Sequence, residues 1–237
     1  MKKGFKINLE RQISRDVFIQ KRGNKIKIII FLALLPILLF MNFGCKNSTE
    51  PKDDVDSVIV YKPNIYIYPS EKKSLIVEVN FPQGGKIIES IPVYENSWKV
   101  EVDTNGKINN TYDNLFYECS VPDLFQMEKG WIIKKEYLEK FFVNNLSESG
   151  FSEKEQNDFI EYWIPKLTDY EYYEIYPQYK SSLDKIIEIN FSIEPDNFYR
   201  LFYLIKGRNN NIQLKEPEIK IAIRQNFYSV EWGVILK

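Results

Sequence analysis

Four carboxylates stand close to aromatic residues in this chain, Glu118, Asp158, Glu161 and Glu231. An apolar wall raises the pKa of a neighbouring carboxyl, and a raised carboxyl facing an ionised one is the pair that cleaves a glycosidic bond, at a separation of about 5–9 Å. Asp158 and Glu161 are three residues apart, so a helix would place them on one face, as it also does for ordinary surface acids. Other chemistry is scarce. The chain contains no histidine, which removes Ser-His-Asp and Cys-His catalysis and any His-ligated zinc or haem. Cys119, within Leu115-Phe116-Tyr117-Glu118-Cys119, therefore has no imidazole base and reads as a buried strand position. Ser-x-x-Lys occurs at Ser70–Lys73 and Ser182–Lys185 without the SDN and KTG elements that accompany it in penicillin-binding folds, and both matches read as chance. Asp103-Thr104-Asn105-Gly106 lacks the acidic pattern of a calcium loop and reads as a hairpin turn. With no Walker A or GxGxxG sequence, no cofactor and no metal set is indicated, and the catalytic residues stay unknown.

Aromatic side chains offer a second kind of chemistry. Tyr170, Tyr172, Tyr173, Tyr176 and Tyr179 could stack on sugars or anchor a protein partner, because a tyrosine ring is rigid and amphipathic. On a strand, however, the run places apolar groups on both faces, and a buried strand is the favoured reading.

Charge and hydropathy say where such groups would work. The 237 residues are 44% hydrophobic and 27% charged, which fits one folded domain plus a targeting segment and excludes a disordered chain. Residues 1–27 hold nine Lys/Arg against Glu10 and Asp16, leaving an acidic remainder that repels a phosphate backbone, so no nucleic-acid partner is expected. Ile28–Gly44 is uncharged, Cys45 follows, and 46–57 is polar with a proline. A basic start, an apolar stretch and a small residue form an export signal. With Gly44 and Cys45 it resembles a bacterial lipoprotein signal, although Asn42 stands where leucine is usual. The resemblance implies that Cys45 becomes the lipidated, palmitate-bearing N-terminus. The alternative is an uncleaved anchor, yet 17 uncharged positions reach only about 26 Å at 1.5 Å per residue, less than the usual span of roughly 20 residues. Either reading makes the membrane a partner and puts the body outside the cytoplasm; acylation of Cys45 would leave Cys119 without a disulfide partner.

The expected domains are a signal at 1–45, a linker at 46–57 and an extracytoplasmic domain at 58–237. Within the last, Leu75–Phe81 alternates; further strands are predicted at Lys86–Tyr94, Trp98–Asp103, Asn114–Cys119, Trp131–Ile133, Tyr170–Tyr176, Leu183–Ile193, Phe198–Lys206, Glu218–Ile223 and Phe227–Leu236. Tyr137, Leu138, Phe141, Phe142 and Leu146 form a helical stripe closed by Gly150; Ser152-Glu153-Lys154-Glu155 is a capping box opening a second helix that Pro165 must end. Strands on either side of a helical pair predict an α+β fold, mainly an antiparallel, sandwich-like β-sheet with a central helical hairpin.

Lys62-Pro63-Asn64-Ile65-Tyr66-Ile67-Tyr68-Pro69, Gly130-Trp131, the stretch Asn157–Pro165 and Val230-Glu231-Trp232-Gly233 together resemble an uncharacterised group of bacterial exported or lipoprotein domains with a KPxIYxYP opening and a VEWG element near the end. The resemblance implies a domain identity and no reaction. The sequence thus leads to an expected lipid-anchored, extracytoplasmic binding or envelope-associated module, with an envelope glycan or protein as partner. The alternative is a cell-envelope glycan or peptidoglycan hydrolase using a carboxylate pair.

Overall fold

The apolar alternation of the body resolves into ten strands and three helices in the computed structural model, which describes residues 56–237. The signal, Cys45 and nearly all of the expected linker lie outside the described residues. The strands are β1 (Ser57–Tyr68), β2 (Lys73–Asn80), β3 (Lys86–Ile91), β4 (Trp98–Val102), β5 (Leu115–Pro122), β6 (Trp131–Lys134), β7 (Tyr172–Tyr179), β8 (Glu188–Phe191), β9 (Asn197–Arg208) and β10 (Tyr228–Leu236); the helices are α1 (Leu138–Glu148), α2 (Glu153–Trp163) and the short α3 (Lys180–Leu183). Seven strands form one sheet in the order β3-β5-β1-β10-β9-β7-β6, and β4-β2-β8 form a second. Among the described strands, only the β10–β9 pair is parallel. The fold is α+β and dominated by antiparallel sheet.

Two cores flank the large sheet, because its strands are apolar on both faces. Leu75, Val77, Trp98 and Val100 of the small sheet pack with Ile65, Ile67, Tyr117 and Phe202 on one side. Phe142, Leu146, Phe159 and Trp163 of α1 and α2 pack with Tyr66, Tyr203, Val230 and Trp232 on the other. The helix ends follow local rules. Phe151 N–H bonds Leu146 C=O and Gly150 N–H bonds Ser147 C=O, each at 3.0 Å, with Gly150 at φ +85°, which is a Schellman closure. The capping box at Ser152 and Glu155 is formed, and α2 gives way at Ile164–Lys166 to a 3₁₀ turn around Pro165. Gly106, at φ +83°, completes the Asp103–Gly106 turn through its N–H to Asp103 C=O.

Three predicted strands need correction. Glu218–Ile223 is not a strand: Tyr179 and Tyr199 hydroxyls bond the carbonyls of Glu218 and Lys220, so side chains take the place of a ladder and leave Ile221 and Ile223 exposed. Leu183–Ile193 divides into the end of α3 and β8, and the strand placed at Tyr170–Tyr176 runs instead from Tyr172 to Tyr179.

Candidate functional site

β1 carries one extra residue relative to both of its neighbours, β5 and β10, between Val60 and Asn64. The extra residue reverses which face each later side chain meets. Before the bulge Val60 faces the small sheet and Tyr61 the helices; after it Ile65 and Ile67 face the sheet, and Tyr66 and Tyr68 the helices. Lys62, at the bulge, sits at φ +52°, a left-handed conformation that a lysine rarely adopts and that persists only where the surroundings impose it.

A cleft of about 730 Å³ opens beside this bulge, bounded by β1, β3, β5, residues 111–114 and α2. Its polar wall is continuous. Tyr66 Oη donates to Asp158 Oδ2 at 2.9 Å, and Lys154 Nζ donates to the same oxygen at 2.9 Å. Lys154 also lies 3.5 Å from Asp113, which Lys107 meets at 2.7 Å. Two aromatic rings line the same space. The Lys62 ammonium stands 4.4 Å from the Tyr162 ring centre and 5.6 Å from that of Phe116, within reach of cation–π attraction.

The electrostatics follow from partial burial. Desolvation pushes the Lys62 pKa below the ordinary lysine value, against the pull of Asp158 and Glu118. Burial pushes the Glu118 carboxyl up, while the Lys62 backbone amide and ammonium oppose the shift. Tyr66 is driven well above the ordinary tyrosine range, first by burial and then by the Asp158 charge, so it remains a hydroxyl donor.

Three of the four carboxylates singled out from sequence, Glu118, Asp158 and Glu161, line this cleft. The fourth does not. Glu231 is buried between the two sheets, where Arg200 Nε and, at 2.8 Å, the Tyr117 hydroxyl donate to it. Cys119 is buried in that same core, and burial raises its thiol far from reactivity. Ser70 and Ser182 are exposed and stand outside the cleft. The tyrosine run forms no single patch: Tyr173 and Tyr176 are buried in opposite cores, Tyr172 and Tyr179 are half-buried, and Tyr170 is exposed. Among the described residues, no three acidic or thiol side chains converge to hold a metal ion.

Sequence reasoning gave no site role to Lys62, Asn64, Phe116 or Tyr162. The only local signal for the first two was Pro63, which within a strand is compatible with an edge, a strand start or a bulge. Chemically, the cleft offers carboxylates, an amide and two ring faces to a polar ligand, together with one raised and one ion-paired carboxyl. No protein-family model, curated protein or solved structure matches the chain.

Proposed function

We propose that this chain is a lipid-anchored, extracytoplasmic binding module, tethered through Cys45, whose cleft between the β1 bulge and α2 takes a polar envelope ligand. The observation that carries the reading is the cleft itself, where planar polar groups (Asn64, Asp158, Glu161) stand with the rings of Phe116 and Tyr162 beside a strained, half-buried Lys62. Rings that stack and carboxylates or amides that accept hydroxyl protons are the groups that hold sugars and polar peptides. Strain at a bulge is retained where a side chain must be aimed.

The test is site-specific photo-crosslinking in intact cells from position 161 on the cleft rim, with position 221, exposed elsewhere, as the control. A crosslinked glycan or protein from 161 that is missing from 221 supports the reading; identical products from both positions, or none, overturn it. One observation favours hydrolysis as a second reading. Glu118, raised by burial, shares the cleft with Asp158, which Lys154 pairs, the division of roles that a general acid and its ionised partner require. Release of reducing ends from envelope glycan, abolished in Glu118→Gln, would establish it.

A further inference from the structure

The cleft holds five carboxylates, Glu89, Asp113, Glu118, Asp158 and Glu161, against two lysines, Lys62 and Lys154. Asp113 and Asp158 are already met by lysines, whereas Glu89, Glu118 and Glu161 have no Lys or Arg nitrogen within 4.0 Å among the described residues. A second observation is independent of these acids. Asn64 lines the cleft at 3% exposure, and its Oδ1 has no hydrogen-bond partner. Its Nδ2 lies 3.5 Å from Tyr66 Oη, whose own proton goes to Asp158. A buried acceptor without a donor is unfavourable, so this carbonyl would gain from a ligand N–H or O–H.

The rings narrow the choice further. Tyr162 and Phe116 already hold the Lys62 ammonium over their faces, and Tyr162 also carries that of Lys166, 4.0 Å from its ring centre. A neutral polyol could satisfy the lone acceptor but would gain nothing from the charges of the half-buried Glu118 and the exposed Glu89 and Glu161, and an anion would meet their repulsion. A primary ammonium supplies three donors, a positive charge and a fit to an aromatic face.

We propose that the cleft binds an ammonium-bearing ligand, an amino sugar or a polyamine, with the charged nitrogen held among Asn64 Oδ1, Glu118 and Glu161 at the position for which the Lys62 side chain competes. This inference rests on the reading of the cleft as a binding site, and deepens it by naming the ligand class. Lys62 is then a placeholder cation: it lies near the carboxylates that the ligand would claim, and its removal frees them.

The experiment is calorimetric titration of the full-length chain in detergent with a glucosamine tetramer, its fully N-acetylated counterpart and spermidine. Binding of the glucosamine tetramer and not of the acetylated one is expected, weakening as salt rises from about 0.05 to about 0.5 M because charge attraction between exposed groups is screened. Glu118→Gln and Glu161→Gln should each lower affinity about five- to tenfold, the scale of one lost charge contact in a half-open site, and Lys62→Met should raise it severalfold. The opposite signs separate recognition from loss of folding, which would lower all three. Spermidine binding as tightly as the tetramer assigns recognition to the ammonium alone; tetramer binding without spermidine assigns it to the amino sugar. Equal binding of the acetylated tetramer overturns the charge requirement while leaving a glycan-binding cleft. Absence of binding by all three probes overturns the inference, and crosslinking from position 161 then decides separately whether the cleft binds anything.

Discussion

Arg200 and Glu231 are both fully buried between the two sheets, where a lone charge is costly and each hydrogen bond to the pair offsets part of its desolvation. Here Arg200 also donates through Nη1 to Asp184 at 2.8 Å and to the Ile187 carbonyl, while its buried Nη2 has no partner, so the guanidinium links the core to a partly exposed acid. Arg200→Met leaves Glu231 with only the Tyr117 hydroxyl and should cost about 3–5 kcal/mol in urea unfolding. The double variant Arg200→Met with Glu231→Leu should lose much less, since two apolar groups replace the pair; a single variant within about 1 kcal/mol of the native chain would exclude a charged pair. Lys62 makes a pH-dependent claim. Its lowered pKa means that the folded chain gives up this proton before the unfolded chain does. Between that lowered value and the ordinary 10.5 the unfolded state holds more protons, so this group makes stability rise with pH across that window; below it the full penalty of the half-buried charge remains. Urea midpoints at neutral and alkaline pH should therefore differ between native protein and Lys62→Met, with the native chain gaining relative to the variant as pH rises. A constant difference would remove desolvation of Lys62 from the account.

Helix α2 owes its position to contacts local and distant. The Ser152 hydroxyl accepts from Glu155 N–H, and Glu155 Oε2 accepts from Ser152 N–H at 2.8 Å. The same carboxylate is fully buried and takes a two-pronged contact from Arg224, at 2.9 and 3.0 Å, and the Tyr68 hydroxyl at 2.6 Å. Arg224 in turn lies over the rings of Tyr68 and Tyr228. The cap thus fastens the irregular stretch before β10 to the helix that lines the cleft. Ser152→Ala should cost about 1 kcal/mol, the usual worth of an N-cap. Arg224→Leu should cost about 3–5 kcal/mol because it strands a buried carboxylate. Similar losses in the two variants, measured by urea unfolding, would show that Arg224 does not balance Glu155.

The two halves of this device also mark what the sequence made legible. Ser152-x-x-Glu155 and Gly150 could be read because a cap is decided within a few residues, and Pro165 stops α2 by local sterics. Arg224 could not, since it meets Glu155 across 69 positions. Glu218–Ile223 misled because alternation signals extended backbone without saying whether a strand or two tyrosine hydroxyls will take its carbonyls. In the site, helical spacing was enough to pair Asp158 with Glu161. Nothing in the spacing separated Glu118, at the cleft, from Glu231, in the core. Lys62 and Asn64 acquire their roles from a one-residue bulge whose existence depends on both neighbouring strands.

At the scale of the whole chain, the basic first 27 residues and the acidic remainder are asked to do different things, and the proposed function depends on the first delivering the second across a membrane. A cleft with more carboxylates than lysines suits that destination. Outside the cytoplasm it need not compete with the anionic polymers of the cell interior, and the body's net acidity draws cationic ligands toward it. The decisive residue for this arrangement is Cys45, which precedes the folded body. Cells grown with labelled palmitate should label the native chain, with the mature product beginning at Cys45 and running ahead of the full-length chain on a gel; Cys45→Ala should remove the label and leave the longer species. One acyl chain binds a bilayer only weakly, so stable anchoring requires the several chains of a processed lipoprotein, and the native product should stay with membranes at high salt. An unlabelled, full-length chain that remains with membranes would replace the lipid by an uncleaved apolar segment and leave the cleft proposal standing. An unlabelled chain free in the cytosol would remove the envelope, and with it the ligand source on which the proposed function relies.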